Sequence, residues 1–116
     1  LYRDLNKKGE WIQRHLRENE WIKNSEGYEW FNGYYDNNSL RVEGDNVNGV
    51  RMTLTGQVFA IMGNTATDEQ VEKIIKSVNR YLYDEGVGGC RLNTDFKEVK
   101  LDMGRCFGFA YGTKEN

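Results

Sequence analysis

Residues 67–82 carry the feature that ties this chain most firmly to one kind of structure. Thr67-Asp68-Glu69-Gln70 has the make-up of a capping box, in which the side chains of Thr67 and Gln70 each serve the other residue's backbone N–H. Behind it Val71, Ile74, Ile75, Val78, Tyr81 and Leu82 recur at helical spacing, so an amphipathic helix is predicted over 68–83. Such a stripe needs an apolar partner. Val50 to Met62, just upstream, is the least polar part of the chain. Its Val50, Met52, Leu54, Val58, Phe59, Ala60, Ile61 and Met62 would surround a helix on every side, which predicts a buried helix ended by Gly63-Asn64. The turn over 63–67 then folds the two into an antiparallel helical hairpin.

Around this unit the chain is less regular. Arg3 to Glu18 places Leu5, Ile12 and Leu16 on one helical face, widened by Trp11, with Gly9 weakening the helix by roughly 1 kcal/mol relative to alanine. From Trp21 to Gly44 aromatic residues give way to the turn residues Asp36-Asn37-Asn38-Ser39, so one irregular hairpin is expected with its turn near Asn37-Asn38. Gly86, Gly88 and Gly89 open a glycine-rich connection, and Arg91 to Asn116 reads as extended chain with loops. The expected class is therefore mainly α with a short β-hairpin, in a single unit over 1–116 with no internal repeat or linker.

Composition narrows the function classes. The 116 residues include 15 aromatics, which excludes a disordered tail, and no proline. Sixteen Lys and Arg against eighteen Asp and Glu leave a net charge of −2, so no nucleic-acid partner is expected. The longest uncharged stretch, Met52 to Thr67, is 16 residues long and about half polar, so no membrane span is expected either. Cys90 and Cys106 match no metal-ligand spacing and are few for a secreted disulfide scaffold, which favours a reducing cytoplasm. The chain opens on Leu1 and stops on Lys114-Glu115-Asn116, as expected of a piece of a longer protein.

The motifs exclude several chemistries. His15, the only histidine, stands among Arg14 and Arg17 on a solvated helix with no nucleophile in sequence reach. A calcium loop starting at Asp36 would need glycine at Arg41 and glutamate at Val47. The glycines at 86, 88 and 89 follow a helix and meet Arg91 where GxGxxG needs its last glycine. No metal site and no cofactor is expected. Glu43, Asp45, Asp95, Asp102 and Glu115 all lie in loop-like sequence, and spacing alone selects no acid–base pair among them. Trp21, Tyr28, Trp30, Phe31, Tyr34 and Tyr35 crowd six rings into fifteen residues. Two readings stay open for these rings: packing of a small hairpin, or stacking on the apolar faces of sugars with nearby Asn and Asp bonding the hydroxyls.

Three stretches together carry a family resemblance. Arg41-Val42-Glu43-Gly44-Asp45-Asn46 followed by residues 48–62, then Gly89-Cys90-Arg91-Leu92-Asn93-Thr94-Asp95-Phe96, then residues 104–116 ending Gly112-Thr113-Lys114-Glu115-Asn116, resemble the inverting phosphorylases of glycoside hydrolase family 94, formerly glycosyltransferase family 36. The likeness is greatest to the branch of 1,2-β-oligoglucan phosphorylases and the phosphorylase-like part of cyclic β-1,2-glucan synthases. It implies that the chain is a fragment of an (α/α)6 toroid, with the helical hairpin as one inner and one outer member. It also implies reversible phosphorolysis of a β-glucoside by a parent enzyme, with inorganic phosphate or glucose 1-phosphate as substrate, so that one carboxylic acid suffices.

By the resemblance no catalytic residue lies within the chain: the general acid is expected upstream of Leu1 and the phosphate-binding histidine beyond Asn116. Glu115 corresponds to the glutamate that contacts the acceptor sugar, Thr113 and Lys114 position the same loop, and Gln57 matches a glutamine of the inner helix, where packing is its expected role. The leading expectation is thus an oligosaccharide-binding fragment, inactive alone and prone to self-association through the surface its ring neighbours would cover. The alternative is a non-catalytic carbohydrate-binding module built on the aromatic cluster at 28–35, with Trp30 and Tyr34 as its platform.

Overall fold

The computed structural model describes residues 1–113. Helix α1 (Tyr2–Asn19) leads into a hairpin of β1 (Trp21–Lys23) and β2 (Glu29–Phe31). A second hairpin, β3 (Gly44–Asn46) with β4 (Gly49–Arg51), precedes α2 (Leu54–Met62) and α3 (Asp68–Tyr81). A third, β5 (Tyr83–Asp84) with β6 (Gly89–Cys90), and a single turn of helix, α4 (Arg105–Gly108), complete the order. Each hairpin is a separate two-stranded antiparallel pair.

The β1–β2 hairpin is the centre of the fold because both of its faces are covered. Its register sets Ile22 opposite Trp30 and Trp21 opposite Phe31. Strand geometry sends these two pairs to opposite sides. Ile22 and Trp30 pack with Met52 and Leu82 on one side, while Phe31 packs with Ala66 and Ile74 of the helical hairpin on the other. A third cluster of Val42, Phe96 and Phe107 holds the C-terminal segment down.

A two-stranded sheet leaves one edge of β2 without a neighbour, and backbone groups buried there need partners. Two helical side chains supply them. The Gln57 amide of α2 accepts from Phe31 N–H (2.9 Å) and donates to Phe31 C=O (2.7 Å). The Ser77 hydroxyl of α3 accepts from Glu29 N–H (3.1 Å) and donates to Glu29 C=O (2.8 Å). Both side chains are buried. Together they take the place of a third strand.

The predicted helix at 68–83 forms with its Thr67–Gln70 capping box in place, and ends at Tyr81. Other expectations change. The segment expected to be one helix from Val50 is split: Val50 lies in β4, Met52 is buried in the core, and α2 starts at Leu54. The cause is the β3–β4 turn, where Gly49 adopts φ +126° and Asp45 pairs with Val50. Nor is α2 buried all round. Gln57 is its one buried residue, while Val58 is 40% and Met62 75% exposed, because the helix is bound inward through a polar clamp and turns its hydrocarbon outward.

At the end of α2 the left-handed position is taken by Asn64 (φ +54°), not by Gly63. The expected single hairpin near Asn37-Asn38 is instead a tight turn closing one bridge, Tyr35 to Arg41. Asp36 Oδ1 accepts from the backbone N–H of Asn38 (2.8 Å) and Leu40 (2.9 Å), which stabilises the turn. The true hairpin turns at 24–28, where Asn24 Oδ1 accepts from Tyr28 N–H (2.9 Å). The apolar stripe of α1 is exposed: no residue of that helix is buried, and Gln13 and Arg17 fasten it through hydrogen bonds to the backbone carbonyls of Asn64 and Thr65.

Replacing Gln57 by leucine keeps the volume but strands the Phe31 N–H and C=O in the interior. The variant is expected to lose about 2–5 kcal/mol of unfolding free energy, against about 1 kcal/mol for the exposed cap variant Thr67→Ala, both read from urea unfolding curves.

Candidate functional site

A cleft runs between the chain that leaves β2, the start of α2, and the turn before α4. Two hollows form it, about 320 and 380 Å3 in volume, and both are walled by Tyr34, Arg105 and Cys106. Gly33, Thr53, Thr55 and Asn93 line the inner one, and Tyr35, Asp36 and Asp102 the outer. Hydroxyl, amide, guanidinium and carboxylate groups thus converge beside aromatic rings, the mix that suits a neutral, many-hydroxylated ligand.

The walls are held by distinct devices. Residues 92–94 run along the start of α2: Leu54 N–H donates to Leu92 C=O (2.8 Å), and Thr94 exchanges bonds with Met52 (3.0 Å each). The C-terminal wall is held by Arg51. Its guanidinium lies 5.5 Å from the Phe96 ring and 5.0 Å from that of Phe107, and pairs with Glu98 at 2.8 Å. This cation, buried between two rings, keeps Arg105 and Cys106 facing Tyr34.

Glu43 forms the floor behind the inner hollow. Its carboxylate accepts from Thr53 N–H (2.6 Å), from the Thr53 hydroxyl (3.1 Å) and from Gly33 N–H. Burial pushes its pKa up from the ordinary 4.5, while those donors and the Trp30 indole pull it back, leaving it at about 7. The Tyr34 phenol is held far above its usual range by burial, then by the neighbouring Cys106 and the Glu43 charge. The Cys106 thiol is raised by burial, eased by Tyr34 and raised again by Glu43. Tyr34 and Cys106 therefore stay protonated through the neutral range.

Glycine is required at 33. A Cβ there would collide with Glu43 Oε2 and sit 2.7 Å from Thr53 Oγ1. Thr53, which precedes α2, makes no side-chain cap to that helix because its hydroxyl is given to Glu43.

The residues singled out from the sequence fall in different places. Tyr34 lines the cleft. Trp30 does not: it is fully buried, edge-on to Tyr81 at 5.8 Å, so it has no face to offer a sugar. Gln57 has both ends of its amide engaged with backbone and is buried away from the cleft. Thr113 is exposed and closes a turn onto Ala110, and Lys114 and Glu115 lie outside the described residues. His15 stacks on Trp11 at 4.8 Å. Among the loop carboxylates Asp45 accepts from Ser25 N–H (2.8 Å) and Asp95 from Lys97 N–H (2.8 Å), both ordinary loop contacts.

Glu43 differs from these loop carboxylates in being buried. Its only local signal is its place between Val42 and Gly44, both buried. Cys90 and Cys106 are free thiols, no described helix is long and apolar enough to cross a membrane, and among the described residues no cluster of three metal-ligating side chains occurs.

A family model described as "Glycosyl hydrolase 94 superfamily, catalytic domain" matches residues 3–116. No curated protein matches the chain.

Because its folded pKa lies above 4.5, Glu43 binds its proton more tightly in the folded chain than in the unfolded one. Its stabilisation is complete below the ordinary glutamate range and is lost as pH rises through about 7. Wild type is expected to lose on the order of 3 kcal/mol more between pH 4 and pH 8 than Glu43→Gln, measured by denaturant unfolding across pH. Gly33→Ala, which displaces the same carboxylate, should cost about 1–3 kcal/mol by the same measurement.

Proposed function

The chain belongs to the glycosyl hydrolase 94 superfamily, matching its catalytic domain from residue 3 to residue 116, and from that premise we propose that it is one sector of an inverting β-glucan phosphorylase. The reaction is reversible phosphorolysis, in which a phosphate oxygen bonds to the anomeric carbon as the bond from that carbon to the departing sugar's oxygen breaks, giving α-glucose 1-phosphate with inversion. Its chemistry needs one acid to protonate the departing oxygen. The observation that supports this reading within the chain is the cleft at Tyr34, Asn93 and Arg105, which joins hydrogen-bonding groups to ring surfaces in the way a saccharide requires.

Glu43 is not that acid. Both its oxygens are taken by donors from Gly33 and Thr53, which stand between it and the hollow. The acid and the phosphate ligands belong to other parts of a complete domain, and the chain alone is inactive. The 1,2-β-linked glucans are the proposed substrates, from the likeness of residues 41–62 and 104–116 to that branch. Within the same reading Glu115 contacts the acceptor sugar while Thr113 and Lys114 position its loop. Residues 1–116 form a partial domain in which α2 and α3 serve as an inner and an outer helix of an (α/α)6 toroid. The exposed faces of α1 and α2 are the surfaces its other helices would cover.

The binding-module alternative loses its central ring with the burial of Trp30. Phosphate release from α-glucose 1-phosphate and a sophoro-oligosaccharide is the deciding assay. The enzyme carrying this segment in a complete domain is expected to turn over, and Glu115→Gln in it to raise the acceptor KM by about 10–100-fold. No turnover by that enzyme would refute the phosphorylase reading, and turnover by the 116-residue chain alone would refute its inactivity. In sedimentation the isolated chain should self-associate as concentration rises.

A further inference from the structure

The Glu43 carboxylate joins two pieces of chain that meet nowhere else in sequence. Gly33 follows β2, and Thr53 precedes α2. Both donate backbone N–H groups to it, and the Thr53 hydroxyl adds a third bond. The same pieces touch directly beside it, since a Cβ on Gly56 would lie 3.4 Å from Gly33 Cα. Tyr34 is carried by the first piece, Thr55 and Gly56 by the second, and all three line the inner hollow.

We propose that Glu43 is a positioning residue for the cleft: by bridging Gly33 and Thr53 it fixes Tyr34 against the start of α2, so the hollow keeps its shape only while the bridge is ionised and complete. That the hollow takes a carbohydrate rests on the function proposed above; the bridge itself does not.

The donor pattern explains why the charge state matters. An ionised carboxylate only accepts, and the Gly33 N–H, the Thr53 N–H and the Thr53 hydroxyl all donate to it. Once protonated, one oxygen carries a hydrogen that only the Thr53 hydroxyl can receive, by turning from donor to acceptor, and the neutral carboxyl holds the Gly33 and Thr53 N–H groups less strongly than the carboxylate did. Removing the buried charge thus favours the fold as a whole while loosening this one junction. The titratable groups that feel the carboxylate are the Tyr34 phenol on its own side of the cleft and the Cys106 thiol on α4, both pushed up by its charge; the Arg51 guanidinium on β4 acts on the same phenol in the opposite sense. Neither the phenol nor the thiol ionises near neutrality, so a transition there belongs to Glu43.

The experiment follows backbone amide shifts of the 15N-labelled chain from pH 5 to pH 9, with and without sophorotriose. In wild type the amides of Gly33 and Thr53 are expected to move together with a midpoint at about pH 7, and those of Tyr34 and Gly56 to follow the same midpoint. Glu43→Gln should abolish the transition at all four and weaken sophorotriose binding about tenfold. Thr53→Val keeps the amide but deletes the hydroxyl donor, and should raise the midpoint by about one pH unit.

The proposal is overturned if Gly33 and Thr53 share no midpoint, if the midpoint survives Glu43→Gln, if Tyr34 and Gly56 stay silent, or if sophorotriose binds both forms equally. Where Glu43→Gln does not fold, Thr53→Val decides, and an unmoved midpoint overturns the proposal. A wild-type chain with the common midpoint that binds no sophorotriose upholds the bridge and refutes the carbohydrate reading.

Discussion

The outer edge of β2 must be satisfied without a third strand, and the rest of the molecule is arranged around that need. Glu29 and Phe31 turn their backbone groups away from β1 into the interior, where an unpaired donor or acceptor costs about 1–3 kcal/mol. Ser77 from α3 and Gln57 from α2 meet them with side-chain groups. Because each of these two side chains comes from a different helix, the strand fixes the rotation and depth of both. Hydrophobic packing of Trp30 on one face and Phe31 on the other then follows with little remaining freedom.

The cleft inherits this order. Gln57 sits in the first turns of α2, so the clamp that seats Phe31 also sets the start of that helix beside the chain leaving β2. Gly33 and Thr53 are thereby brought to the same carboxylate. The absence of a side chain at Gly33 is what lets them approach, since a Cβ would occupy the space of Glu43 Oε2. A second frame, Arg51 between Phe96 and Phe107, brings Arg105 and Cys106 to the opposite wall. One wall is therefore governed by hydrogen bonds to backbone and the other by a cation between rings.

How far the sequence disclosed this depends on whether a residue's role was local. The capping box at Thr67 and the stripe from Val71 to Leu82 are short-range patterns, and the helix they announce is present. The Val50–Met62 stretch misled because apolar composition does not distinguish a strand, a core loop and a helix within thirteen residues; the Gly49 turn made that division. The aromatic cluster was read both as packing and as a sugar platform. The end of β2 at Phe31 separates its members: Trp30, within the strand, is buried in the core, while Tyr34, on the chain that leaves it, reaches the cleft. Glu43 looked like its solvated neighbours Asp45 and Asp95 because nothing in its vicinity along the chain reveals that Thr53 and Gly33 will enclose it.

By itself the sequence determined the family, through motifs spread over residues 41–116, together with the amphipathic helix, its cap, and the absence of a charge excess suited to nucleic acid. These are properties of residue order and of interactions within a few positions. Only the tertiary structure decided which polar side chains would be buried and to what end. The partners of Gln57, Ser77 and Glu43 lie 26, 48 and 10 residues away along the chain. A buried polar group is defined by the groups that surround it, and these are assembled only when the helices close on β2.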